Sequence, residues 1–170
     1  MAHACWPPDA PIDGTVAAFD YRGPIAASVV TAKVGGGWGG WSSLGDLLAV
    51  RVAQTDPDVD VVTWITTPRS RVRQRGVDHA EVLARRVAAG ISLPCIPLLE
   101  ARAGVRDRDR YRSLRSLPGS NVLLVDDVVT TGTTAGRAAT VLRSAGAGRI
   151  ELAVLARAGS HPLGVATRPR

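Results

Sequence analysis

The chain has 170 residues, 45% of them apolar and 21% charged, with a net charge of +6 and a pI near 10.6. That is the make-up of an ordinary globular domain of one core, and no run of eighteen apolar residues offers a membrane span. Cys5 and Cys95 make no CxxC pair and show no zinc spacing with His3, His79 or His161. The start, MAHACWPPDAP, lacks the basic and apolar regions of a signal peptide. A reduced, cytoplasmic protein without zinc is therefore expected. Lys33 is the single lysine, so arginine carries the basic excess. An anionic partner fits that balance: a phosphorylated metabolite, pyrophosphate or nucleic acid.

In chain order, residues 1–14 are Pro-rich and predict a loop. Val16 to Tyr21 predicts a short strand, and Gly23-Pro24 opens a helix running to about Val34, with Pro24 suited to a first turn. The GGGWGGW stretch, Gly35 to Trp41, predicts a loop. Ser43 and Asp46 have capping-box spacing before a second helix. Val59 to Thr66 is a β-branched, mostly apolar run that predicts a buried strand. The stretch TPRSRVRQRG, from Thr67, predicts a loop. Asp78 and Glu81 then cap a helix to about Ala89, with Val82, Leu83 and Val87 on its apolar face. Pro94 to Leu99 predicts a short strand. The arginine-rich segment from Ala101 to Ser120 predicts a mobile loop.

Val122 to Val125 predicts the next strand. Ala135, Ala138, Ala139 and Leu142 recur at i, i+3, i+4 and i+7, one face of a helix expected to begin near Ala135. Gly146 stops it, and Ile150 to Leu155 is a further strand. Strand, loop, helix, strand in this order is a βαβ unit, and it implies a parallel sheet covered by helices. Residues 15–157 are expected to form one domain, and 158–170 a flexible tail.

The segment NVLLVDDVVTTGTT, Asn121 to Thr134, concentrates the chemistry. Two adjacent carboxylates repel each other, and hydroxyl donors or a cation relieve them. The residues Thr130, Thr131, Gly132, Thr133 and Thr134 offer successive backbone N–H groups and hydroxyls at a helix N-terminus, where an anion is favoured. Gly132 lets the backbone turn tightly and approach a ligand. A ribose 5-phosphate would meet both needs, with its hydroxyls on Asp126 and Asp127 and its phosphate on residues 130–134. A Walker B strand also ends in an acid, but the chain has no GxxxxGK[ST] loop. A receiver domain needs a lysine downstream, and none follows Lys33.

This segment resembles the phosphoribosyl pyrophosphate (PRPP) motif of type I phosphoribosyltransferases. Its fixed positions, DD..TTG.T, would arise by chance at roughly 10⁻⁷ to 10⁻⁸ per start site at ~6% usage per residue. The resemblance implies an α/β fold: a parallel-sheet type I phosphoribosyltransferase-like core with helical N-terminal additions. It implies PRPP as substrate with Mg²⁺, and transfer of the pentosyl group to a base-type acceptor as pyrophosphate leaves. Asp126 and Asp127 would hold the ribose and approach the Mg²⁺ that PRPP carries, and Thr130 to Thr134 the 5-phosphate.

The second informative stretch, Thr67 to Ala88, alternates Arg69, Arg71, Arg73 and Arg75 before Gly76. Guanidinium groups bind phosphate oxygens bidentately, so Arg71, Arg73, Arg75 and Gly76 are expected to hold pyrophosphate. Pro68, Arg73 or a neighbour, Arg75-Gly76 and Leu83-Ala84-Arg85 resemble the ComF family, phosphoribosyltransferase-like proteins associated with competence for DNA uptake. Phe19 to Ala49 is similar to that family's first helical region. Val77, Asp78 and His79 depart from its FNQ, and of the four-cysteine zinc finger with which that family usually begins only Cys5 is near the right place. The resemblance covers about residues 16 to 157 and is strongest over 121 to 147. It also implies an alternative: a non-catalytic accessory or regulatory protein of DNA uptake, binding PRPP, single-stranded DNA or competence proteins. An oligomer is compatible with either.

Three weaker features complete the reading. Trp38 and Trp41 would stack a base or, as such tryptophans more often do, pack back on the domain. VRDRDRYRSLR would clamp an anion or pair its own charges on the surface. His79 would act as an acid–base group or sit as a surface histidine beside a helix cap.

Overall fold

The computed structural model describes residues 10–24, 26–27, 29, 31, 38–158 and 166–167; the side chains of residues 38, 39, 74, 75, 107, 166 and 167 lie outside this description. The strands are β1 (Gly14–Asp20), β2 (Val61–Trp64), β3 (Leu99–Ala101), β4 (Tyr111–Ser113), β5 (Val122–Val129), β6 (Ile150–Arg157) and β7 (Ala166–Thr167). The helices are α1 (Trp38–Ala53), α2 (Arg69–Arg75), α3 (His79–Gly90) and α4 (Thr133–Ser144).

Five strands form the main sheet in the order β2-β5-β6-β1-β7. The first four run parallel, and β7 pairs antiparallel with β1. Parallel strands need crossover connections, which place helices over both faces. β5 and β6 are apolar on both sides for this reason. Leu123 and Val125 face a core shared with Trp41, Leu48, Leu83 and Val87, while Val122 and Leu124 face Ala135, Ala139 and Leu142. Successive strand residues point to opposite faces, so neighbouring positions serve two different cores.

α1 and α3 cover the first face and approach each other closely. A Cβ added at Gly90 would lie 2.8 Å from Ala49 Cβ. On the other face, α4 is buried through Ala135, Gly136, Ala138, Ala139 and Leu142, the helical stripe expected from the sequence.

Several local expectations need correction. Residues 38–41 are helical, not loop: α1 begins at Trp38, ahead of the Ser43–Asp46 box. Trp41 is fully buried, and that burial holds the turn together despite its glycines. The rest of the GGGWGGW loop and most of the helix expected over 23–34 lie outside the described residues, though positions 23, 24, 26, 27, 29 and 31 are helical. The arginine stretch at 69–75 is a helix, not a loop. The segment 101–120 is not structureless either. β3 and β4 form an antiparallel hairpin there, with Tyr111 and Leu117 buried beneath it. Of the strand expected over 94–99, only Cys95 bridges to Val62 and only Leu99 belongs to a strand. Leu98 N–H donates to the buried Thr63 hydroxyl at 3.2 Å, tying this segment to β2. Ala166–Thr167, inside the expected tail, pair with β1.

Candidate functional site

The parallel strands deliver their loops to one edge of the sheet, beyond their carboxyl ends, where ligands of open α/β sheets sit. The acid pair reaches this edge in an unexpected way. β5 does not stop at Val125 but runs on through Asp126 and Asp127 to Val129. It can do so because β6 continues beside it: Asp126 pairs with Val154 and Val128 with Ala156. β2 has ended at Trp64, so one flank of the acid pair is open to a loop instead of a strand. Both aspartates are half-buried. Asp126 Oδ1 accepts the Asp127 N–H at 2.8 Å, and Asp127 Oδ1 accepts the Val128 N–H at 2.6 Å. Those contacts fix the orientation of both carboxylates.

Five residues on, the chain turns at Gly132, with φ of 73°. That left-handed conformation favours glycine. The helix starts at once with Thr133, two residues ahead of the expected Ala135; its N-cap, Gly132, has no side chain to cap it, and the Thr133 N–H donates weakly to Thr131 Oγ1 at 3.5 Å. Thr131 and Thr133 hydroxyls lie 3.0 Å apart. Thr130 and Thr131 are exposed, and Thr133 and Thr134 half-buried. The N-terminal N–H groups of α4 and the four hydroxyls thus sit in a single turn beside the end of β5.

The loop leaving β2 faces the acid pair. Thr67 and Asp78 join the two ends of that loop: Asp78 Oδ2 accepts the Thr67 N–H at 3.0 Å, and Oδ1 accepts its hydroxyl at 3.4 Å. Asp78 occupies the N-cap position of α3 but makes no side-chain cap of ordinary hydrogen-bond geometry; the Glu81 N–H acts on its carboxylate only weakly, and the Glu81 side chain turns to Arg85, so the reciprocal capping box does not form. The Asp78 carboxylate closes the loop, and Glu81 pairs with Arg85 at 2.7 Å. Burial raises the pKa of Asp78 above the usual carboxylate range, opposed mainly by the hydrogen bond from the Thr67 backbone.

A small cavity of about 150 Å³ lies between this loop and β5, lined by Ile65, Thr67, Val77, Asp78, His79, Ala80, Asp126 and Asp127. A larger one of about 640 Å³ shares Thr67 and Asp78 and extends away toward Arg69, Arg73, Glu100 and Leu114. Residues 130–134 line neither of these two.

The helix re-sorts the arginines. A two-residue alternation puts them on one side of an extended chain, but at 3.6 residues per turn Arg69 and Arg73 share a face and Arg71 and Arg75 share another. Arg73 lines the larger cavity with Arg69, and Arg71 is exposed outside that lining. The Arg75 side chain lies outside the described residues. Gly76 ends the helix with φ of 78°, its N–H donating to Val72 O at 2.8 Å.

His79 is not a surface residue. It is 5% exposed, and its ring stacks on Trp41 with centroids 4.2 Å apart and planes 11° apart. Trp41 packs back on the domain, and Trp38 has no described side chain. Cys95 is a free thiol whose pKa burial pushes up, so it is a poor nucleophile. Among the described residues, no three His, Cys, Asp or Glu side chains group to hold a metal, and no helix is long and apolar enough to cross a membrane.

The architecture is a parallel α/β sheet with the Thr67 loop and the acid-and-threonine loop gathered at the carboxyl ends of β2 and β5. The model of the phosphoribosyl transferase domain matches residues 70–165. That is more than half of the chain, and the chain belongs to this family. Among solved structures it is similar to the glutamine phosphoribosylpyrophosphate amidotransferase of B. subtilis in complex with ADP and GMP, at 25% identity and a TM-score of 0.52. It is similar at 24% identity and the same TM-score to the allosteric regulatory enzyme of purine biosynthesis. Both alignments cover 67% of this chain, which spans only 25% of the length of either. A purine phosphoribosyltransferase from Pyrococcus horikoshii aligns at 19% identity and a TM-score of 0.49, over 71% of this chain and 74% of its own. No curated protein matches the chain.

Proposed function

We infer that the chain uses PRPP and transfers its pentosyl group to a base-type acceptor, releasing pyrophosphate. The observation that carries this reading is the acid pair held open beside a helix start that has glycine at its N-cap and is ringed by threonines, in a chain of this family. Asp126 and Asp127 accept hydrogen bonds from the ribose hydroxyls. The N–H groups and hydroxyls of Thr130, Thr131, Gly132, Thr133 and Thr134 hold the 5-phosphate, where the start of α4 favours negative charge. Of the arginines expected to hold the pyrophosphate, Arg73 faces the cavity beside the Thr67 loop and takes that role, ahead of the turn at Gly76.

Mg²⁺ fits this donor set. It keeps several waters and takes one or two carboxylates together with substrate phosphates, not a cage of protein ligands, and Asp126 and Asp127 are two hard oxygen donors. When bound, it neutralises charge on the departing pyrophosphate. The protein's own share is positioning: the sugar is fixed by the carboxylates and the phosphate by the turn, while Arg73 draws the leaving group away. The test is pyrophosphate release from PRPP with a panel of nucleobases. Turnover with one base, abolished in Asp126→Asn/Asp127→Asn, supports transfer. Intact turnover in that variant removes the assigned site.

A second reading, the accessory role of a ComF-like protein, draws on the arginine-rich β3–β4 hairpin. Its charges are partly paired internally: Arg112 with Glu100 at 2.5 Å, Arg108 with Asp109 at 3.6 Å. A nucleic-acid function predicts affinity for single-stranded DNA that falls steeply with log salt.

A further inference from the structure

The transferase reading leaves most of the larger cavity without a role. Its 640 Å³ lies within the 300–1,000 Å³ of small-molecule sites and far exceeds the needs of two phosphate groups. Its walls come from the end of β2 and the loop after it with α2, the first turn of α3, and the β3–β4 hairpin with the residues flanking it. Much of the surface is apolar, from the half-buried or exposed Val72, Pro97, Ala101 and Leu114, with Trp64 and Leu99 behind them. Trp64 and Leu99 are themselves buried in the core, so this wall is fixed by the fold.

The charges around it are unequal in availability. Glu81 is paired with Arg85, and Glu100 with Arg112. Asp78 accepts both hydrogen bonds of Thr67. Arg69 and Arg73 stand one helical turn apart on the same face of α2, and neither has an ion-pair partner among the described residues. Thr66 also lines the cavity, and its buried hydroxyl has no hydrogen-bond partner among the described residues. The carboxylates are spoken for, and the donors are not.

We propose that this cavity is a second small-molecule site, for an organic anion with a flat apolar body: the anionic group on Arg69 and Arg73, the body against Val72, Pro97, Ala101 and Leu114. The chemistry selects a ring-bearing carboxylate or sulfonate, because a bare inorganic anion leaves the apolar wall uncovered and a neutral ring leaves the guanidiniums unpaired. Arg73 also takes the proposed pyrophosphate role. Arg69 and Leu114 belong to this site alone, so the proposal stands without the transferase reading. The partition between the two cavities is the Thr67–Asp78 contact, so a ligand here touches the loop that faces the acid pair.

The probe is 2-naphthoate, titrated into the full chain by calorimetry, with inorganic phosphate as the comparison. Saturable 1:1 binding of naphthoate is expected, with affinity falling about tenfold or more in Arg69→Ala. Leu114→Asp is expected to weaken it similarly. Leu114 is 44% exposed, so that substitution keeps the fold, which thermal melting verifies. Asp126→Asn/Asp127→Asn retains naphthoate binding even though PRPP binding is lost. The proposal is overturned if naphthoate does not saturate, if Arg69→Ala and Leu114→Asp leave its affinity unchanged, if phosphate binds as tightly as naphthoate, or if the aspartate variant abolishes naphthoate binding.

Discussion

Replacing Asp78 separates two roles of one carboxylate. It accepts the Thr67 N–H at 3.0 Å and the Thr67 hydroxyl at 3.4 Å, and the residue is 8% exposed. Asp78→Ala removes the acceptor and strands a part-buried N–H, at about 1–3 kcal/mol. At roughly 2–4 °C per kcal/mol for a domain of this size, the melting temperature falls by about 2–12 °C. Asp78→Asn keeps an acceptor oxygen and removes the buried charge. The pH dependence fixes the sign. The folded pKa is raised above the ordinary 3.8, so the folded chain binds more protons than the unfolded one over that window. This residue's contribution is fully present at low pH and is lost as pH rises through the folded pKa. Asp78→Asn should therefore match or exceed the wild type at neutral pH, and the difference should shrink toward pH 4. Chemical denaturation at several pH values measures this. Equal losses for alanine and asparagine at every pH would refute the reasoning.

Three further outcomes follow from packing and backbone geometry. Leu142→Ala empties a fully buried position between α4 and the sheet and should cost about 2–5 kcal/mol in urea denaturation, with no effect on ligand contacts. Gly90→Val forces α1 and α3 apart at the 2.8 Å approach to Ala49 and should cost about 1–3 kcal/mol. Gly132→Ala, at φ of 73°, should cost roughly 1–2 kcal/mol. By disturbing the turn it should also weaken PRPP binding more than Leu142→Ala does; equal affinities in those two variants would contradict the phosphate assignment.

The parts of the fold legible in the sequence are those where one physical pattern dominates. The runs at 61–64, 122–125 and 150–155 are apolar throughout because helices cover both faces of a parallel sheet. The stripe of Ala135, Ala138, Ala139 and Leu142 has a period only a helix satisfies. The acid pair and threonine turn are legible because their composition suits neither a core strand nor a plain helix cap. What was missed lies where tertiary context overrules local pattern. Arginines at every second position look extended, yet 69–75 is helical, with Val72 N–H bonded to Pro68 O and Gly76 N–H to Val72 O. Trp41, buried against His79, carries α1 back through glycines. Strands of three residues, as in β3 and β4, are too short to show alternation. The extension of β5 through its own aspartates depends on β6 alongside, a partner more than twenty residues away. Strand order is likewise non-local: nothing in β1 announces that it pairs with β6.

The central claim is that the edge formed by Asp126, Asp127 and residues 130–134 binds PRPP. Calorimetry with PRPP and Mg²⁺, on the wild type and on Asp126→Asn/Asp127→Asn at matched thermal stability, tests it most directly. The account predicts saturable binding to the wild type and its loss in the variant. No saturable binding to the wild type, or equal binding to both, would contradict it.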